Sequence, residues 1–427
     1  MASTCDDEAF ASPGAARVSC ESLGVSCFDA RLPPAMSLPL SGITVLSLEQ
    51  AISAPLGSRH LADWGARVIK IERPDSGDFA RGYDATMHGL SSQFAWANRS
   101  KESVALDIKS VPGRQALDAL LERADVFIQN LAPGAAAKLG LNAQTLVRRQ
   151  PRLIACDVSG YGADGPYSDK KAYDLLVQCE TGFVAINGTE ASPAKCGLAI
   201  ADIAAGMYVL QGILMALLNR ERTGCGMAFE VSLFDALSEW MSYPAYYTRG
   251  GGVPPQRSGM RHATIAPYGP FRAGDGRTIF FGIQNEREWT RFCRIVLQDE
   301  ALAADQGYAS NPARLARREE LEALIETRFS AWTSEALVER LDAAAIANAR
   351  LNGIEDFLHH PQLHSRKRIR PVASEAGLQE TFLPAVTIPG IEPVMGPIPA
   401  LGEHTDKILA ELGLPLGHSA DREAPRS

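Results

Sequence analysis

GITVLSLEQAISAPLGSRHLADWGARVIKIE, residues 42–72, decides the fold class. Ile43 to Leu48 reads as a strand. Ala54 to Trp64 reads as a helix, which Gly65 stops from the C′ position. Arg67 to Glu72, RVIKIE, alternates as a second strand. The same alternation continues downstream. Ser103 to Asp107 is a short strand, and Pro112-Gly113 opens a helix with Leu117, Leu120, Leu121 and Ala124 on one face. Asp125 to Gln129 is the next strand, Asn142 caps a helix through Arg149, and Leu153 to Val158 is a further strand. Strands alternating with helices predict a parallel, doubly wound α/β sheet. No G-x-G-x-x-G follows the first strand, so the motif for a dinucleotide is missing.

The strand Leu153–Val158 runs into Ser159-Gly160 and a Gly/Pro/Asp-rich loop, after which Asp174 opens the apolar run Leu175-Leu176-Val177. Ligands of open α/β sheets sit beyond the carboxyl ends of the strands. A carboxylate at that edge can be a nucleophile, and it can equally be an N-cap accepting backbone N–H bonds. Ile200 to Asn219 is the strongest helix in the chain, with Ile203, Met207, Leu210, Leu214, Leu217 and Leu218 at helical spacing, a stripe that reads as core. Phe229, Val231 and Leu233 alternate as a strand. The Gly/Pro/Arg-rich stretch 247–262 predicts a domain boundary. Beyond it lie a hairpin-like turn over Phe271–Arg277, a strand over Ile279–Ile283, helices from Glu286 to about Asp342, and a Pro-rich tail closing in a helix near Thr405–Leu412.

The chain has 427 residues, which predicts two or three domains, and its 46% hydrophobic and 22% charged composition is that of a soluble globular protein. A formal charge of −8 argues against a nucleic-acid or membrane-surface role, since both need a basic footprint. The eight cysteines (Cys5, Cys20, Cys27, Cys156, Cys179, Cys196, Cys225, Cys293) show neither CxxC nor zinc spacing, so no metal site is expected. They read as reduced thiols, each a small buried hydrophobe, in a cytoplasmic protein. Residues 1–35 lack both the composition of the rest and the basic and apolar blocks of a signal peptide. They are expected to be a disordered extension, or to lie upstream of a true start near Met36.

In order and spacing, PLSGITVLSLEQAISAP (39–55), LADWGARVIKIERPDSGDFARG (61–82), NRSKESVALDIK (98–109), ADVFIQNLAPGAAAKLGL (124–141), SGYGADGPY (159–167), AYDLLVQCETG (172–182), DIAAGMYVLQGILMALLNRERTGCG (202–226) and LGEHTDKIL (401–409) resemble the class III CoA-transferases. That family includes relatives of formyl-CoA transferase, carnitine CoA-transferase and α-methylacyl-CoA racemase. The resemblance implies a Rossmann-like large domain over 36–245, a smaller α+β domain over 246–350, and a segment over 351–427 that returns to the large domain. It also implies two subunits interlocked as a homodimer.

Activity and site residues follow from the same resemblance. Coenzyme A would be transferred from an acyl-CoA thioester to a carboxylic acid, both as substrates, with no permanently bound cofactor. The aspartate matching Asp174 would be the nucleophile, passing through an aspartyl anhydride and an aspartyl-CoA thioester. Contacts to coenzyme A carry over to Gln50, Ala51, Ser53, Arg73, Leu106, Lys109, Asn130, Leu131, Ala135, Lys138 and Met207. Some relatives have histidine at position 50, and some have arginine at position 138. The acyl-covering loop matches Ser258–His262, where the poly-glycine of formyl-CoA transferase is absent. Gly259, Arg261 and His262 there suggest a small dicarboxylate, such as succinate, mesaconate, itaconate or citramalate, with Arg261 or His262 pairing with its far carboxylate; alternatively, His262 orders the loop by backbone bonds. A racemase would carry a histidine just before the matching aspartate. Here that residue is Tyr173, and loop 159–173 has no histidine. A non-catalytic CoA-binding protein is the remaining alternative, and retention of Asp174 speaks against it.

Overall fold

The computed structural model describes residues 37–415. The N-terminal extension, a start near Met36, and Cys5, Cys20 and Cys27 lie outside the described residues, as does the end of the tail.

Six parallel strands form the main sheet: β1 (Thr44–Leu48), β2 (Arg67–Glu72), β3 (Lys101–Ala105), β4 (Val126–Gln129), β5 (Ile154–Ser159) and β6 (Ala228–Ser232). Their spatial order is 3-2-1-4-5-6, with every pairing parallel. The helices that position the site are α1 (Ser53–Asp63), α2 (Val111–Arg123), α3 (Ala143–Arg149), α4 (Asp174–Glu180), α5 (Ile200–Thr223) and α6 (Leu233–Trp240). One sheet face packs against α1, α5 and α6 through Ala54, Leu61, Val209, Ile213 and Leu237. The other packs against α2 and α3 through Leu117, Leu120, Leu121 and Leu146. Both faces are therefore covered, as a parallel sheet requires.

Two local expectations are corrected. Asn142 sits at the N-terminus of α3 but makes no side-chain cap bond. Asp157 does that work from β5: its carboxylate accepts the Ala143 N–H at 3.0 Å and also the Gln129 amide at 2.8 Å. Leu233 does not extend the strand. The Ser232 hydroxyl accepts the Asp235 N–H at 2.9 Å, which caps α6 and ends β6.

A separate hydrophobic cluster contains Phe271, Phe281, Trp289, Phe292, Ile325 and Phe329. It lies over the antiparallel sheet of β7 (Tyr268–Arg272), β8 (Thr278–Gly282) and β9 (Asn348–Arg350), which pair in the order 9-8-7. The chain then returns. Ser100 N–H donates to the Pro397 carbonyl at 2.8 Å, and His404 N–H to the Ser103 carbonyl at 2.9 Å. Ile408 and Leu409, from α7 (Thr405–Glu411), complete the core beside β3.

The five cysteines among the described residues are free thiols. Cys156 and Cys293 are buried as expected, but Cys179 and Cys225 are exposed and Cys196 is half-buried.

Two glycines set how closely α1 and α5 approach. A Cβ on Gly206 would stand 2.7 Å from the Ser53 carbonyl oxygen, and one on Gly57 would stand 2.8 Å from Val209 Cγ1. Gly206→Val must push α5 off α1. The expected loss is about 3 kcal/mol of unfolding free energy, read from the midpoint of urea denaturation. An unchanged midpoint would show that the two helices are not in tight register.

Candidate active site

The carboxyl ends of β1 and β4 mark the point where the strand order reverses, and a cavity of about 1260 Å³ opens there. This exceeds the roughly 300–1,000 Å³ of ordinary small-ligand pockets. The loops after the two strands are pinned to each other. Gln50 N–H donates to Asn130 Oδ1 and Asn130 Nδ2 donates to the Gln50 carbonyl, each at 2.8 Å.

Beneath this floor lies a buried ion cluster. Glu49 accepts from Lys101 Nζ at 2.7 Å and from the Ser58 hydroxyl at 2.8 Å. Lys70 Nζ meets Asp78 at 2.8 Å. The other oxygen of Asp78 accepts the Ala51 N–H at 3.0 Å, which fixes Ala51 in the left-handed region with φ of 64°. Burial pushes the Lys101 ammonium down to about 7 against the attraction of Glu49. Partners on every side keep these charges in register, and Gln50, Ala51 and Ser53 are held where they line the cavity.

Asp174 faces the same space from the start of α4. It does not cap its own helix: Tyr173 holds the N-cap position and makes no side-chain bond there. Instead, Asp174 Oδ1 accepts the Ala201 N–H at 2.7 Å and the Asp202 N–H at 3.2 Å. These belong to the first turn of α5, whose own N-cap residue, Ala199, has no side chain to offer. Asp174 Oδ2 accepts the Gln178 amide at 2.6 Å. Gln178, almost fully buried, is held in turn by the Cys196 N–H at 3.0 Å. The carboxylate thus sits at the positive end of a 24-residue helix.

A family model described as CoA-transferase family III matches residues 40–405. The chain belongs to that family. A succinate–glutarate CoA-transferase from Agrobacterium fabrum (strain C58) is 35% identical over 387 residues, covering 88% of this chain and 96% of its own length. A succinyl-CoA:glutarate CoA-transferase from Mus musculus is 30% identical over 378 residues, covering 88% and 86%. The crystal structure of a CAIB/BAIF family protein from Brucella suis superposes with a TM-score of 0.78 at 30% identity, covering 88% of this chain and all of that one.

Within this CoA-transferase, the residues singled out from sequence separate into two groups. Gln50, Ala51, Ser53, Asn130, Leu131, Ala135 and Asp174 line the cavity. The others lie elsewhere. Leu106 is buried in the sheet core. Lys109 and Lys138 are exposed and do not line the cavity. Arg73 turns back to the Gly77 carbonyl at 3.1 Å. Met207 is exposed on the outer side of α5 rather than facing the cavity.

The loop residues Gly259, Arg261 and His262 are also outside the cavity lining. Arg261 is committed to Glu319 at 2.9 Å and Glu322 at 3.0 Å, so its charge is already matched. His262 stacks on Tyr268, donates its backbone N–H to the Tyr268 carbonyl at 2.9 Å and accepts the Thr264 N–H at 3.2 Å. These contacts tie His262 to its own loop.

Sequence reasoning missed Lys170, Lys171, Tyr83 and Asp202, all of which line the cavity. Lys170 lies over the Tyr167 ring at 4.0 Å, near the mouth. Asp202 was legible only as the first residue of a quoted motif. In the fold it is half-buried beside Asp174. Burial and then the Asp174 charge push its carboxyl up to about 7, against a hydrogen bond from Ser53 that lowers it.

A carboxyl whose folded pKa is raised costs stability once it must ionise. The deficit is absent below about pH 4, grows as pH rises, and is complete above about pH 7. Asp202→Asn should therefore match the wild type at pH 4 and exceed it at pH 8 by about 2–4 kcal/mol, measured by chemical denaturation at both pH values. Equal stability at pH 8 would mean that Asp202 ionises freely.

Proposed function

We propose that the enzyme moves coenzyme A between small dicarboxylic acids, with Asp174 as the covalent nucleophile. The observation that carries the reading is the hydrogen bonding of that carboxylate. Each carboxylate oxygen has two lone-pair directions. Oδ1 spends both on the first turn of α5, whereas Oδ2 has one donor, Gln178, and keeps one direction free on a residue that lines the cavity.

In the proposed sequence Oδ2 attacks the thioester carbon. The C–S bond breaks, the electron pair leaves on sulfur, and an aspartyl mixed anhydride forms. Oδ1 is now a carbonyl oxygen between the Ala201 and Asp202 N–H groups, which are placed to hold the negative charge that develops when the thiolate attacks the aspartyl carbon. The donor acid departs as a carboxylate and an aspartyl-CoA thioester remains. The acceptor carboxylate reverses the two steps, and Asp174 is regenerated. Each stage is a substitution at an activated acyl carbon. The dicarboxylate class is supported by the names of the relatives, which specify succinate and glutarate. No histidine lines the cavity among the described residues, which disfavours a proton-abstracting racemase.

We also propose a homodimer. Met207, Leu214, Met215 and Leu218 recur along the outer side of α5, and Trp240, Tyr243, Tyr246 and Tyr247 follow beside them, all exposed. The helix is apolar enough to cross a membrane by length and composition, yet its Ala and Gly side is packed against α1 and the sheet. An exposed apolar stripe of this extent fits a second copy of the chain.

Asp174→Ala should lower transfer by at least ~10⁴-fold, since no covalent route remains, while circular dichroism stays that of the wild type. Incubation with succinyl-CoA should leave a mass adduct on Asp174 of the wild type only. Turnover of the variant within tenfold of the wild type would overturn the mechanism. Light scattering at micromolar concentration should give twice the chain mass of 45.9 kDa; a monomer would remove the dimer.

A further inference from the structure

The covalent cycle leaves one group in the cavity unused. Asp202 is the third residue of α5 and lines the cavity with Asp174, which takes its backbone N–H. Ser53 from α1, Asp174 from α4, Tyr83 and Tyr173 line the same cavity. Of these, Asp174 raises the Asp202 carboxyl and Ser53 lowers it, while the charges of Asp78 and Asp202 help push the Tyr83 phenol up. Asp78 is paired with Lys70. No Lys or Arg pairs with Asp202 among the described residues, whereas Asp174 has three N–H donors. Burial and the Asp174 carboxyl beside it both favour the neutral form of Asp202, so Asp202 holds a proton that the covalent cycle does not otherwise use.

Building on the transferase reading, we propose that Asp202 is the proton store of the cycle, protonating the coenzyme A sulfur as it leaves and taking the proton back as the sulfur returns. When Asp174 Oδ2 bonds to the acyl carbon and the C–S bond breaks, the pair goes to sulfur. The proton on the Asp202 carboxyl then passes to that sulfur, giving a thiol and an Asp202 carboxylate. Asp174 has become a neutral anhydride in the same step, so the two residues together carry one negative charge before and after. Loss of the Asp174 charge makes Asp202 a stronger acid when the proton must leave. The thiolate, whose conjugate thiol has a pKa of roughly 8.5, accepts it readily. On return, the Asp202 carboxylate removes the thiol proton as sulfur attacks the aspartyl carbon, and the store is refilled.

Burial and the neighbouring charge put this carboxyl at about 7 in the resting state, protonated in an appreciable fraction of molecules near neutrality. The prediction is a specific pH profile. For the wild type with succinyl-CoA and glutarate, kcat/KM should fall tenfold per pH unit above roughly pH 7 as Asp202 loses its proton. Asp202→Asn keeps size and polarity but carries no transferable proton. It should lower kcat by about 10²-fold and abolish the alkaline limb. Ser53→Ala, which removes the bond that favours the charged form, should move the limb upward. A uniform loss of rate in Asp202→Asn with the limb retained would assign the residue a packing role and overturn the proposal. So would a limb that stays in place in Ser53→Ala. Mass spectrometry separates this inference from the reading beneath it. An Asp174 adduct in the wild type, with no change of pH profile in the variants, sinks only the proton store. Absence of the adduct in the wild type sinks both.

Discussion

The contact on which the candidate active site depends is between the Asp174 carboxylate and the first turn of α5. A helix leaves its first N–H groups without intrahelical partners, and the residue before α5, Ala199, has no oxygen to give them. Asp174 gives one from a different helix, 27 residues upstream. The arrangement serves fold and chemistry together. The helix gains a cap, and the carboxylate gains donors and a favourable dipole without an adjacent cation. A cation there would blunt the proposed nucleophile and compete for the acid substrate. Backbone N–H groups do neither, and in the proposed cycle they would remain in place when the oxygen becomes a carbonyl.

That contact is possible only because α5 starts where it does, which is a matter of packing. Gly206 and Gly57 allow α1 and α5 to come together with backbone near backbone. The same approach brings Ser53, at the head of α1, beside Asp202, at the head of α5. The head of α1 is fixed from the other side by the ion cluster, in which Asp78 grips the amide of Ala51. Burying Glu49, Lys70, Lys101 and Asp78 costs desolvation that their mutual attraction roughly balances. What the cluster contributes is position. It ties β1, β2 and β3 to one loop, so that the cavity floor cannot shift relative to the sheet.

The sheet could be read from the sequence because its signals are local. RVIKIE alternates, Gly65 adopts the left-handed backbone that ends α1, and Leu117, Leu120 and Leu121 share a helical face. What could not be read was which distant partner a polar side chain would find. Asn142 is a natural cap by residue type, yet Asp157 from the neighbouring strand takes the bond. Asp174 suits the cap of its own helix and serves another. Lys109, Lys138 and Arg73 have the charge for a phosphate, but none of them lines the cavity, whereas Lys170 and Lys171 do. Spacing reports which side of an element a residue occupies. It does not report which of several nearby donors completes a hydrogen bond, and active sites are built from that second kind of information.

The acyl anhydride of the proposed cycle would impose a further demand, because water destroys it. In the single chain the cavity mouth is bordered by polar and exposed groups, and Tyr173 and Leu175, on either side of Asp174, also stand in the open. Leu176 is exposed on the same helix. Apolar side chains flanking Asp174 do little for the isolated subunit. They become useful once another surface covers them, because the covering then removes both apolar area and water. The exposed side of α5 makes the same demand, and α5 is the helix whose first turn holds Asp174. In the proposed homodimer one act of burial would answer both: it would stabilise the pair through apolar area, and by fixing the outer side of α5 it would hold steady the N–H groups on which the nucleophile rests.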